Sequence, residues 1–283
     1  MDKSKLYKHG VGSIVEYSGL SEYFKVLEQP RVRGRSDSSD ERDSGWSGSR
    51  DFEEAKDLMM GGDENSHNTI MRIKSETDKY YIQDAKNKIR TFNDVGGYTP
   101  NVPNAIMGLP QSMVNAKREP KKHRVVDIFV NRSRSGMTGT DQIEYEGALI
   151  LSFLDALERD GYRVNLYVGK VNWLGSKDRV NGHIVPIKRA TEPLNIKKTA
   201  FYLVHPSYLR RIGFRIDEVE DQIEDTTRDG YGQVNHRGTQ HEFIHEHINE
   251  RFMIIDDGLD LDMYDDTEEN IDKLNNLFNK GRE

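Results

Sequence analysis

The chain has 283 residues, 35% of them hydrophobic and 31% charged, with a formal net charge of −7, no cysteine and a mean hydropathy of −0.80. These values exclude disulfides, thiolate metal centres and cysteine nucleophiles, and they supply no global attraction to nucleic acid. No run approaches the ~18 apolar residues of a membrane-crossing helix. The start, Met1 to Leu6, has no apolar signal core, so a cytoplasmic protein without a membrane partner is expected.

In chain order, residues 18–28 read as a short amphipathic helix with Leu20, Tyr23, Phe24 and Leu27 on one face, ended by Pro30. Residues 31–50 are rich in Arg, Ser, Asp and Gly, with Trp46 the isolated large apolar residue, and are expected to form a mobile segment. A helix follows from Asp51 to Met60, stopped by Gly61-Gly62. Residues 65–90 suit a longer polar helix whose sparse apolar positions pack on a partner or on the main domain. Glycines and prolines between 94 and 113, among exposed-looking apolar residues, predict an extended arm laid across a surface.

Beyond a charged stretch from Lys117 to Arg124 the pattern becomes strand, helix, strand. A strand over 125–130, an apolar helix over 141–160 capped by Gly161, and a strand over 162–168 form a βαβ unit, which predicts parallel pairing. Further strands are expected at 183–188, 199–205 and 251–256, and a last helix at 267–279. The division expected is a helical and extended N-terminal region, residues 1–120, and an α/β domain, residues 121–283.

The first main-domain strand ends in Asn131-Arg-Ser133-Arg-Ser135, and the last one in Asp256-Asp257-Gly258. Alternate oxygen-bearing side chains after a strand can offer ligands to a hard cation. The arrangement resembles the von Willebrand factor A domain, in which an Asp-x-Ser-x-Ser loop and a later Asp bind a divalent cation. The resemblance covers roughly residues 123–283. It implies a mostly parallel sheet sandwiched by helices, as in Rossmann-like folds, with Asn131, Ser133, Ser135 and Asp257 as ligands for Mg²⁺ or another divalent cation. Asn131 stands where the family has Asp, which removes one negative charge; Thr191 is a candidate for the family's loop threonine. The alternative is a metal-free turn whose hydroxyls and amide cap the following helix. The segments Trp46 to Ala55 and Gly97 to Pro103 resemble uncharacterised tailed-phage proteins, which implies a viral context.

His241-Glu242-Phe-Ile-His245 places two histidines one helical turn apart, as in zinc metalloproteases, with Glu242 as general base. A third ligand would come from Glu250, His236 or Glu268. A solvated helix is the competing reading. Arg132 and Arg134 lie inside the oxygen-rich loop, and Lys188, Arg189, Arg210 and Arg211 follow later strand candidates. If they converge they can bind phosphate, RNA, DNA or an acidic protein. His205 and Ser207 are a conceivable nucleophilic pair without the glycine-flanked elbow such a pair needs. The reading that joins these features is a non-enzymatic, phage-encoded interaction module that binds a host or phage protein through the loops at the sheet's carboxyl edge and forms homo-oligomers. A zinc hydrolase and a nucleic-acid binder are the alternatives.

Overall fold

A computed structural model describes residues 4–10, 12–33, 44–62, 64–77, 89–118, 124–174, 179–227, 231 and 237–281. The elements begin with β1 (Lys5–His9), β2 (Gly12–Glu16), α1 (Leu20–Leu27), α2 (Ser44–Ser47), α3 (Phe52–Gly61) and α4 (Glu64–Thr77). Next come β3 (Ile89–Asp94), β4 (Thr99–Pro100), α5 (Val102–Ile106) and β5 (Met113–Arg118). Then follow β6 (Arg124–Asn131), α6 (Thr140–Arg159), β7 (Tyr162–Leu174), β8 (Arg179–Lys188) and α7 (Ile196–Leu203). A π-helical segment (Tyr208–Gly213), α8 (Phe214–Val219), α9 (Arg237–His247), β9 (Met253–Ile255), a 3-10 turn (Asp257–Leu259) and α10 (Thr267–Lys280) complete the chain. No described helix is long and apolar enough to cross a membrane.

The fold is α/β, built on a mixed six-stranded sheet in the order β1-β2-β8-β7-β6-β9. β6 pairs in parallel with β7 and with β9, as the strand–helix–strand pattern requires. β7 and β8 pair antiparallel instead. Four residues separate these two strands, and a parallel connection needs a crossover of roughly a dozen or more.

Side chains alternate across this sheet with period two. Ile128, Val130, Leu166, Val168 and Val185 face the larger core with α1, α3, α4, α6, α7 and α10. Phe129, Val171, Val180, Ile184 and Ile254 face the smaller one, covered by Phe243 and Ile244 of α9. Residues 146–154 of α6 are all buried, so this helix is the centre of the larger layer. Gly147 lets α7 approach it, since a Cβ there would stand 2.0 Å from the Leu203 carbonyl oxygen.

Several expected boundaries move. The division at residue 120 does not match a break in the sheet, because β2 pairs in parallel with β8 and Val15, Tyr17, Tyr23 and Leu27 lie in the larger core. Segment 31–50 is anchored at both ends. The Val32 amide donates to the Glu218 carbonyl, and Arg33 donates to carbonyls of Asp217, Ile223 and Glu224. Ser47 and Ser49 are buried; residues 34–43 lie outside the described ones. The long helix predicted over 65–90 is described as far as Thr77. The arm at 94–113 belongs to a three-stranded antiparallel sheet, β3-β5-β4. The strand expected at 199–205 is α7, whose Asn195 cap accepts from the Lys198 amide. A short apolar run fits a buried helix as well as a buried strand.

Three outcomes follow. Gly147→Ala forces α6 and α7 apart and lowers stability by about 1–3 kcal/mol, read from urea unfolding. Deletion of residues 1–33 removes β2 and α1 from the core and abolishes the cooperative unfolding transition. The third concerns His183, which is 0% exposed and meets the Tyr23 hydroxyl at 3.1 Å. Burial lowers its pKa from 6.5 to about 3. The unfolded chain therefore takes up a proton as pH falls below 6.5 while the folded one does not, so stability present above that pH is lost on acidification. The contribution is up to about 1.4 kcal/mol per pH unit, and a His183→Gln variant lacks it when urea midpoints are compared between about pH 7 and pH 5.

Candidate functional site

Because β6 and β9 are parallel neighbours, with Val130 opposite Ile255, the loop after one and the turn after the other leave the sheet side by side. Arg134 joins them. Its Nε lies 2.8 Å from Glu146 Oε2 and 3.5 Å from Asp257 Oδ1. Its Nη2 meets the same Glu146 oxygen at 2.8 Å, and its Nη1 donates to the carbonyls of Asn131 and Ser133.

Asn131 has a specific task at the end of β6. Its Oδ1 accepts from the Val171 amide at 3.0 Å and its Nδ2 donates to the Val171 carbonyl at 2.9 Å. The side-chain amide thus extends the β6–β7 ladder as a peptide group would. The same Oδ1 accepts from the Ser133 amide. A carboxylate could accept in this position but could not donate to Val171. Ser133 Oγ donates to Asn172 Oδ1 at 2.5 Å, and Ser135 Oγ accepts from the Met137 amide.

As folded, these groups do not fit a divalent cation. The oxygens of Asn131, Ser133 and Ser135 are engaged in the turn, and the Arg134 guanidinium reaches Asp257, the remaining member of the set. Among the described residues, no group of three or more His, Asp or Glu could hold a metal ion. Thr191 follows β8, which runs against β7, so it lies at the opposite edge of the sheet. Lys188 and Arg189 stand there too and do not join the loop arginines. Lys188 instead pairs with Glu158 at 2.5 Å and donates to the Val164 carbonyl.

The histidines lie on α9. His241 Nε2 meets Asp256 Oδ2 at 2.9 Å, and His245 Nε2 donates to the Phe252 carbonyl at 3.0 Å. Their rings are 6.3 Å apart, and Glu242 is exposed. Both pairs tie α9 to the strand it covers. His236 lies outside the described residues. Ser207 Oγ donates to the Ser47 carbonyl and meets Ser49 Oγ, so it is not aligned on His205 as a nucleophile would be.

Arg132, Arg134, Arg210 and Arg211 are all buried at this edge, the last two on the π-helical segment. Arg210 donates to the carbonyls of Trp46 and Thr138, and its guanidinium lies 4.1 Å from the centre of the Trp46 ring. Trp46 Nε1 donates in turn to the Gly136 carbonyl of the loop. Arg211 donates to the carbonyls of Ser49 and Arg50. Burial lowers the pKa of Arg132 to about 9 and that of Arg210 to about 10. Sequence reasoning marked these arginines but missed Glu146. Its signal was a carboxylate three positions after Ile143, on the face of α6 that leads into the apolar run from Gly147.

A family model described as a domain of unknown function, DUF7192, matches residues 8–280. The chain belongs to the DUF7192 family. That match passes through residue 120, and the six-stranded sheet likewise takes strands from both sides of it. No curated protein and no solved structure matches the chain. For this DUF7192 member, Asn131→Asp is expected to lower stability by about 1–3 kcal/mol at neutral pH, because the Val171 carbonyl loses its nearer donor and faces a carboxylate, keeping only the Gln240 Nε2 contact at 3.3 Å. Chemical unfolding of the two proteins side by side checks this.

Proposed function

We propose that this DUF7192 protein is a non-enzymatic interaction and assembly module, and that its partner at the arm is a second copy of the chain. One observation carries the reading. No residue from 91 to 117 is buried, although this stretch forms most of a three-stranded sheet and a helix. Phe92, Val95, Tyr98, Val102, Ile106, Met107 and Leu109 are all exposed, with Ile106 at 81%. A sheet this small needs an apolar face packed on something to hold its form, and contiguous exposed apolar residues mark interaction surfaces.

The chemistry of the arm narrows the partner. Residues 95–116 contain no Asp, Glu, Lys, Arg or His. Such a surface has nothing to offer phosphates or an acidic ligand, and it is complementary to another uncharged apolar surface. β3 and β4 are also edge strands, open to pairing across a symmetric contact. The main body we read as similar to the von Willebrand factor A domain. Its support is the parallel β6-α6-β7 unit, with the polar loop after β6 beside the Asp-Asp-Gly turn after β9.

Light scattering coupled to gel filtration tests the reading. The wild-type chain is expected to elute as a defined oligomer. Ile106→Ser with Met107→Ser should give a monomer with an unchanged thermal midpoint, since neither side chain belongs to a core. A wild-type monomer at every concentration, or an oligomer that survives the double change, overturns it.

A further inference from the structure

The smaller face of the six-stranded sheet is covered along only part of its length. β2 and β8 run parallel, so their carboxyl ends leave the sheet together, at the edge opposite the arginine-bearing loop. Phe243 and Ile244 of α9 pack on Ile14, Val171, Val180 and Ile184. Further along the same face, Glu16, Tyr167 and Pro186 line a cleft of about 720 Å³ together with Lys5, Arg189 and Thr191. The register of β8 against β7 is irregular here. Tyr167 lies opposite Pro186 and Leu166 opposite Lys188, so Ile187 is an extra residue. Such a bulge re-aims side chains and is common beside binding sites. In open α/β sheets, ligands settle outside the carboxyl ends of strands.

The charges in this cleft do not cancel. Glu16 accepts from the Tyr7 hydroxyl at 2.7 Å and stands opposite Lys5 across β1 and β2, which offsets one cation. Lys188, also in the wall, is paired with Glu158. The Arg189 guanidinium has no partner among the described residues, and neither have the Tyr167 and Thr191 hydroxyls. The backbone that carries Arg189 is nevertheless fixed. Its amide donates to Glu192 Oε2 at 3.2 Å, and the Ala190 amide donates to Asn165 Oδ1 at 2.6 Å. Burial raises the Tyr167 pKa, so its hydroxyl stays a donor at neutral pH. We propose that this cleft binds a small organic monocarboxylate, its carboxylate on Arg189 and its apolar body against the Tyr167 ring and Pro186. A guanidinium matches a carboxylate with two parallel N–H···O bonds. One uncompensated cation suits a single negative charge better than the roughly −1.5 to −2 of a phosphate monoester. The volume falls within the range of about 300–1,000 Å³ common for small-molecule sites. This inference does not depend on the arm or on self-association.

Calorimetric titration of the full-length protein with benzoate, 3-phenylpropionate and octanoate tests it. At least one acid should bind saturably, and its uncharged amide should bind at least about tenfold more weakly. Acetate, which lacks the apolar body, should also bind at least about tenfold more weakly. Arg189→Ala should weaken binding by at least about the same factor while leaving the thermal midpoint unchanged, since this side chain is exposed. No saturable binding by any of these acids, equal binding of the amide, or an unchanged affinity in Arg189→Ala overturns the site. Acetate binding as tightly as the best acid, or phenyl phosphate binding more tightly, overturns the ligand class.

Discussion

The Arg134–Glu146 ion pair, at 2.8 Å with both side chains almost wholly withdrawn from water, is the contact on which the carboxyl edge of the sheet depends. Its guanidinium also holds the carbonyls of Asn131 and Ser133 and reaches Asp257, so β6, α6 and the turn after β9 are fixed at one point. Removing one partner of such a pair strands the other charge, at a cost of about 3–5 kcal/mol. The pair also determines what its neighbours can do. With the Arg134 guanidinium beside Asp257, the oxygens of the loop and turn do not close around a cation.

The rest of the fold makes this edge rigid. α6 delivers Glu146 at the start of its fully buried stretch, residues 146–154. β7 delivers Asn172 and the Val171 backbone, which fix the loop from the other side. The π-helical segment adds Arg210 and Arg211, and α2 lays Trp46 across Arg210. π-Helical geometry is rare and is often associated with functional sites. The N-terminal strands and helices do more than append to this body, because β2 completes the sheet beside β8 and carries α1 into the core.

Two surfaces of opposite character result. The arm is uncharged from residue 95 to 116, largely apolar and open along its strand edges, which suits a partner that shields apolar area. The carboxyl edge is closed, with its charged side chains buried and hydrogen-bonded to one another and to backbone carbonyls. They lie on separate sheets and use different physical forces, so a change in one need not disturb the other.

The sequence by itself determined much of the main body. Period-two apolar runs located β6 and the start of β7, helical spacing located α6 and α10, and the strand–helix–strand order required β6 and β7 to be parallel. It also marked the loop after β6 and the turn after β9 as neighbours, and the loop arginines as notable. What it could not determine was where each polar atom finds its partner. Asn131 was open to reading as a ligand or as a turn residue until Val171, forty positions away, was placed against it. The run at 199–205 read as a strand because local apolarity is the same for a buried helix. β1 and β2 could not be assigned to the main sheet, since β1 joins it only through β2, and the β2 pairing with β8 is a contact across more than 160 residues. Local periodicity is carried by adjacent residues and is legible along the chain. The neutralisation of buried charge depends on which distant side chains share a volume, and the tertiary structure alone decided that.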